Sequence, residues 1–146
     1  MILLENRKAR FDYELTDTVE AGMVLTGWEV KSLKKKEGNL KGAWVRLDNG
    51  EAWLVNCKIT PWKFGEAGAQ DPHAPRKLLL HKKEILRLSA KQQEQKIAVV
   101  PLKVYMSKGK IKCELGIGKG RKRHEKKQVL KERSIDRAAQ QDLKRF

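Results

Sequence analysis

Trp44-Val45-Arg46-Leu47-Asp48-Asn49-Gly50-Glu51-Ala52-Trp53-Leu54-Val55 reads as two alternating runs joined by Asn-Gly. Alternation with a period of two marks a strand with one buried face. Asn-Gly is the pair that most readily takes the two positive φ angles of a type I′ hairpin turn. The register follows from that turn. Val45 opposes Leu54 and Leu47 opposes Ala52 on one face; Trp44 opposes Val55 and Arg46 opposes Trp53 on the other. Arg46 beside Trp53 is either a structural cation–π pair, the simpler expectation, or a platform for a base.

Working outward, Ile97 to Met106 reads as a long strand, with Pro101 marking an edge or a bulge because it lacks an amide donor. Lys108-Gly109 makes a turn, and Lys110 to Leu115 returns with Ile111, Cys113 and Leu115 inward. Toward the N-terminus, Phe11 to Leu15 alternates as a strand, Glu20-Ala21-Gly22 reads as a turn, and Met23 to Leu25 as a short buried strand. A helix is expected from Gly27, with Glu29 in its first turn, Val30 and Leu33 inward, and Gly38 as its terminating glycine. A second helix is expected from about Lys82 to Gln93, with Ile85 and Leu88 on its buried stripe and His81 at its cap. Between them, Lys63 to Pro75 is a loop rich in Gly, Ala and Pro. Residues 11–118 thus hold about six short strands, two hairpins and two short helices without βαβ rhythm. The expected fold is mainly β, a small antiparallel barrel of the oligonucleotide-binding type.

Charge points to the partner. The 146 residues carry a net charge of +15, which in general means a polyanion: nucleic acid or an acidic membrane surface. Gly118 to Lys127 has six lysines and arginines in ten positions, a run no hydrophobic core can hold. Residues 119–146 carry 11 Lys and Arg against 4 Asp and Glu. Ile135, Ala138, Ala139, Leu143 and Phe146 follow helical spacing there, a thin apolar stripe that is marginal alone and folds on a partner. The expected division is a barrel over 1–118 and a basic tail over 119–146. No apolar stretch approaches the roughly 20 residues of a membrane span, and Met1 to Arg10 has no secretory signature. Cys57 and Cys113 match no metal or redox spacing and are expected to be ordinary half-buried thiols in a reducing cytoplasm. Asp71 and His73 lack a placed nucleophile, so no catalytic residue, metal site or cofactor is expected.

Blocks along almost the whole chain carry a resemblance. They are Asn6-Arg7-Lys8-Ala9-Arg10, Glu20-Ala21-Gly22, Gly27-Trp28-Glu29-Val30-Lys31-Ser32-Leu33, Asn39-Leu40, Ile59-Thr60-Pro61 and Asp71-Pro72. Pro75-Arg76-Lys77-Leu78-Leu79-Leu80, Gly118-Lys119-Gly120 and Lys131-Glu132-Arg133 complete the order. In that order they closely resemble small protein B (SmpB), the family of bacterial SsrA-binding proteins. The resemblance implies a six-stranded antiparallel barrel with flanking helices and a tail that is unstructured alone and helical on the ribosome. It implies a non-enzymatic adaptor for transfer-messenger RNA (tmRNA), whose tRNA-like domain the barrel holds. It also implies a tail in the decoding centre and empty messenger channel of the small subunit, and elongation factor Tu in the delivery complex.

By position, the resemblance assigns RNA contacts to Asn6, Glu20 and Leu79, with Arg7, Lys8, Arg10, Arg76 and Lys77 supplying backbone electrostatics and Phe11 a stacking face. In the tail it assigns His124 to stacking in the decoding centre and Lys119, Lys122, Arg123, Lys126 and Lys127 to ribosomal RNA. Two departures stand out. Phe11 sits where many members have His, which keeps stacking and loses a polar contact. His124-Glu125-Lys126-Lys127 replaces the commoner Asp-Lys-Arg pattern, so Glu125 keeps the charge while Lys127 loses the arginine fork. A constitutive ribosomal protein with a basic extension is the alternative. An RNA-processing enzyme is the third reading, for which His73, His81 and His124 form no acid–base pair in the sequence.

Overall fold

The computed structural model describes residues 1–65, 68, 70–121 and 127–128. Strand β4 (Trp44–Asp48) and strand β5 (Glu51–Val55) form the hairpin in the expected register, Val45 against Leu54 and Leu47 against Ala52. Asn49 and Gly50 take φ of 49° and 74°, the type I′ geometry. Strand β8 (Ala98–Ser107) and strand β9 (Lys110–Gly120) form the second hairpin, turned by Lys108 and Gly109 at φ of 51° and 75°. Pro101 sits at a bulge of β8, where the register shifts between Pro101 and Lys103. It is not at an edge, because β8 lies between β9 and strand β1 (Ile2–Glu5).

Strand β2 (Tyr13–Met23) joins β9 to strand β7 (Arg76–Leu79), and β7 joins β5. The order is β1-β8-β9-β2-β7-β5-β4, antiparallel at every pairing. Strand β3 (Gly38–Asn39) pairs separately with strand β6 (Lys58–Ile59). The mainly β, antiparallel expectation holds. The described residues form nine strands rather than about six, and the seven-stranded sheet is open. It curls, so that β4 packs against β8 without a ladder between them.

The inner face holds the core. Val45, Leu54, Leu78, Val99, Val104, Leu115 and Ile117 are buried there, with Leu33 of helix α2 (Gly27–Lys34) and Ile85 and Leu88 of helix α3 (Lys82–Gln95). Each such side chain contributes about 1.5–3 kcal/mol of burial. Cys57 and Cys113 are fully buried rather than half-buried. Burial pushes the Cys57 thiol up to about 11 and the Cys113 thiol higher still, so both stay neutral and inert. Helix α1 (Arg7–Asp12) closes a smaller cluster on the outer face, where Ala9 packs on Val100 and Leu102.

Four local expectations are corrected. Phe11 and Asp12 end α1 instead of starting a strand, because Asn6 caps a helix there: its Oδ1 accepts from the Ala9 N–H at 3.2 Å. Glu20-Ala21-Gly22 is the paired interior of β2, not a turn. Met23 ends β2 and Val24 is exposed. Gly38 belongs to β3; after α2 it is Lys36 that takes the left-handed conformation, at φ 59°. Helix α3 is found where expected, but His81 makes no capping hydrogen bond with its side chain.

Candidate nucleic-acid interface

Strand alternation turns a second set of side chains outward. The register sets Tyr105 of β8 opposite Lys112 of β9, Lys103 opposite Glu114, and Glu114 opposite Glu20 of β2. On the far side of β2, Gly22 faces Leu79 of β7, and Lys77 faces Trp53 of β5. The result is a strip in which Lys77, Lys103 and Lys112 are interleaved with Tyr105, Trp53 and Leu79 and with two carboxylates, Glu20 and Glu114. Lysines beside aromatic and aliphatic faces suit nucleic acid.

Glu20 sits in the middle of the strip. Its Oε1 accepts from Lys112 Nζ at 2.7 Å, and its Oε2 accepts from the Tyr105 hydroxyl. The Lys112 hydrogen bond, then the Tyr105 bond, hold the Glu20 carboxyl below its ordinary range. Tyr105 is pushed up, by desolvation first and then by its bond to Glu20. Glu20 is thus an oriented anion, with a lysine fixed beside it. Lys103 and Arg10 approach Glu114 at 3.6 and 3.8 Å, and the Lys103 ammonium lies 5.4 Å from the Tyr105 ring centre.

Leu79 is 54% exposed although it ends a core strand. It lies over Gly22, where a Cβ would stand 3.3 Å from the Leu79 Cβ. The glycine therefore serves a close approach and not a left-handed turn. Leu80, His81, Glu84 and Glu20 border the depression on the other side of Leu79.

Asn6 works mostly inside the protein. Its Nδ2 donates to Pro101 O at 2.9 Å and Leu40 O at 3.4 Å, and its Oδ1 caps α1. One lone pair of that oxygen is left for a ligand. Arg7, Lys8 and Arg10 project from α1 into solvent, Phe11 is half-buried and Lys77 is half-buried. Arg7 is 3.8 Å from Glu5, with both side chains largely exposed.

Arg76 is a correction. Its side chain is 2% exposed, and its guanidinium donates to Glu29, to Cys57 O, to Pro72 O and to Asp71 O. It holds the fold and has no face for phosphate. Asp71, by contrast, is exposed, with its Oδ1 accepting from the His73 N–H in a local turn. Lys119 is an exposed residue of β9, opposite Glu14, so the ladder passes the expected boundary and continues to Gly120 opposite Tyr13. Lys127 is exposed. Lys122, Arg123, His124, Glu125 and Lys126 lie outside the described residues.

The sequence places Lys112 and Glu114 on the outward face of the second hairpin, as found, but neither they nor Tyr105 and Lys103 were assigned to the interface. The alternation of the second hairpin was the available signal, since it sends all four outward together. Among the described residues no cluster of His, Cys, Asp and Glu could hold a metal, and no helix is long and apolar enough to cross a membrane.

A small antiparallel β protein with a basic, aromatic-bearing outer strip is the class these features define. The family model described as "SmpB protein" matches residues 3–145, and the chain belongs to that family. An SsrA-binding protein of an Exiguobacterium species is 49% identical over 140 residues, covering 93% of this chain and 90% of the relative. One from Staphylococcus aureus is 44% identical over 142 residues, covering 97% and 92%. A solved chain described as "tmRNA-SmpB: a journey to the center of the bacterial ribosome" is 40% identical, with a TM-score of 0.69 over 89% of this chain and 95% of that one.

Proposed function

We propose that this chain is the RNA-binding adaptor that binds tmRNA (SsrA RNA) and brings it to stalled bacterial ribosomes for trans-translation. One observation carries the reading: 44–49% identity to SsrA-binding proteins over 93–97% of the chain. The outer strip supports it chemically, since cations fix the phosphate backbone and the Glu20–Leu79 surface supplies contacts that charge cannot. The curled sheet acts as a barrel of the oligonucleotide-binding type, with the packing of β4 on β8 as its seam. In this reading Asn6, Arg7, Lys8, Arg10, Phe11, Glu20, Lys77 and Leu79 face the tRNA-like domain. Residues beyond the sheet, from Lys122 through His124 to Lys127, enter the decoding centre and messenger channel. Elongation factor Tu is the further partner, the compartment is the cytoplasm, and the protein performs no reaction of its own.

The test is competition binding at near-physiological salt, with labelled tmRNA challenged by excess tRNA and by unrelated structured RNA. The adaptor retains the labelled tmRNA against both competitors. Equal displacement by every RNA means that the charge of +15 is all that binds, and the reading fails.

A further inference from the structure

We propose that the cleft between α2 and the β8–β9 hairpin takes one unstacked nucleotide of the RNA partner. The proposal rests on the RNA-binding reading above. The cleft has a volume of about 300 Å³. That is the lower end of the roughly 300–1,000 Å³ of small-molecule sites, room for one base and not for a helix.

Its surface is built for a flat, apolar, negatively charged guest. Met23, Met106 and Ile111 line it from the sheet, and Val30 from α2. All four are half-buried, so the cleft keeps apolar surface open to water. Thioethers are adaptable and favour aromatic rings, so two methionines suit a base of any identity. Lys34, Lys110 and Lys112 stand around the same cleft, and none of its lining residues is acidic. Lys112 is committed to Glu20. Among the described residues, no carboxylate lies within ion-pair distance of Lys34 or Lys110. Two uncompensated ammonium groups beside an apolar floor fit the phosphates on either side of an inserted base. The cleft is also continuous with the candidate interface, because Leu79 over Gly22 forms its border and Glu20 lies just beyond.

The full chain and a transcript of the tRNA-like domain of tmRNA test this. A Lys34→Ala/Lys110→Ala variant is expected to bind about tenfold more weakly and to lower the salt slope by roughly 1.5, near the value for two phosphates. A control Lys58→Ala/Lys83→Ala variant, also at exposed lysines, is expected to stay within twofold of wild type. A benzophenone amino acid in place of Met106 is expected to cross-link to one unpaired nucleotide, and the same group in place of exposed Leu86 on α3 to none. Equal weakening by the two lysine pairs, with cross-linking at position 106 no greater than at position 86, overturns the cleft. The preference of wild type for tmRNA over tRNA is read in the same series. A lost preference with the cross-link intact sinks the adaptor reading and leaves the cleft. A retained preference without either cleft effect sinks the cleft alone.

Discussion

Glu29 and Arg76 meet at 2.5 Å in the protein interior, with side chains 7% and 2% exposed. Glu29 lies in the first turn of α2, where its Oε1 also accepts from the Thr26 N–H and hydroxyl at 2.9 and 3.0 Å. Arg76 opens β7 and directs three of its four remaining N–H groups to the carbonyls of Cys57, Pro72 and Asp71. One pair therefore ties a helix start, a strand start and the loop before it. Removing one member leaves the other charged, buried and unpartnered, at a cost of about 3–5 kcal/mol. Arg76→Met is expected to lower stability by about that much, seen as a fall in the urea midpoint at unchanged m. Arg76→Lys should also destabilise, because one ammonium cannot span a carboxylate and three carbonyls. An unchanged midpoint for Arg76→Met would return Arg76 to the surface role its sequence suggested.

The Glu20 cluster predicts a pH response. A depressed carboxyl contributes stability that is present above its unfolded value, near 4.5, and is lost as pH falls through the lower folded value. The raised Tyr105 phenol acts at the other end: its contribution is present below pH 10 and declines as pH rises above that. Between these limits the cluster is constant. Because the Lys112 bond is the larger cause, Lys112→Met should raise the Glu20 pKa more than Tyr105→Phe does. Carbon-detected NMR titration of the Glu20 carboxyl reads both. The reverse order would mean that the phenol, not the ammonium, orients the carboxylate.

The two type I′ turns differ in cost. Asn49-Gly50 uses the residues that tolerate positive φ, whereas Lys108-Gly109 places a lysine at φ 51°. A residue other than Gly, Asn or Asp in that conformation loses about 1–2 kcal/mol. Lys108→Asn is therefore expected to stabilise the protein by about 0.5–1 kcal/mol, and Asn49→Lys to destabilise it comparably. Thermal unfolding measures both. A lower Tm for Lys108→Asn would show that the lysine has a compensating contact.

The first hairpin was legible because one dipeptide fixed turn type, register and buried face together, and Val45, Leu54, Leu47 and Ala52 fall as that rule requires. Other local signals had two physical meanings. Gly22 read as a turn from its freedom in φ, but it is needed for its missing Cβ, and what it approaches is Leu79, 57 residues away. Phe11-Asp12 alternated like a strand, yet the Asn6 cap and the Ala9 contact with Val100 and Leu102 hold a helix there. At the site, Glu20 and Leu79 came from the resemblance and do sit on one exposed surface. Arg76 came the same way and is buried, since a lone sequence shows its charge and not its carboxylate partner. Tyr105 and Lys112 became visible as partners of Glu20 only once β2 and β8 were placed on either side of β9.

The end of the folded module gives the last prediction. β9 continues to Gly120, pairing Lys119 with Glu14 and Gly120 with Tyr13, and the Arg121 N–H then donates to Asp12 O at 2.7 Å. A chain of residues 1–118 loses these bonds, and one of residues 1–121 keeps them. At about 0.5–1.5 kcal/mol for each net hydrogen bond, the longer chain should be more stable by roughly 1–3 kcal/mol. It should also hold β2, and with it Glu20, more firmly for RNA. Both chains are expected to bind tmRNA and to fail in ribosome rescue, which separates the sheet's task from that of the residues beyond it. Urea denaturation compares their stability, and a reconstituted rescue assay compares their activity. Rescue by residues 1–121 at wild-type rate would show that the residues after Arg121 are not needed on the ribosome, and the two-part reading would fall.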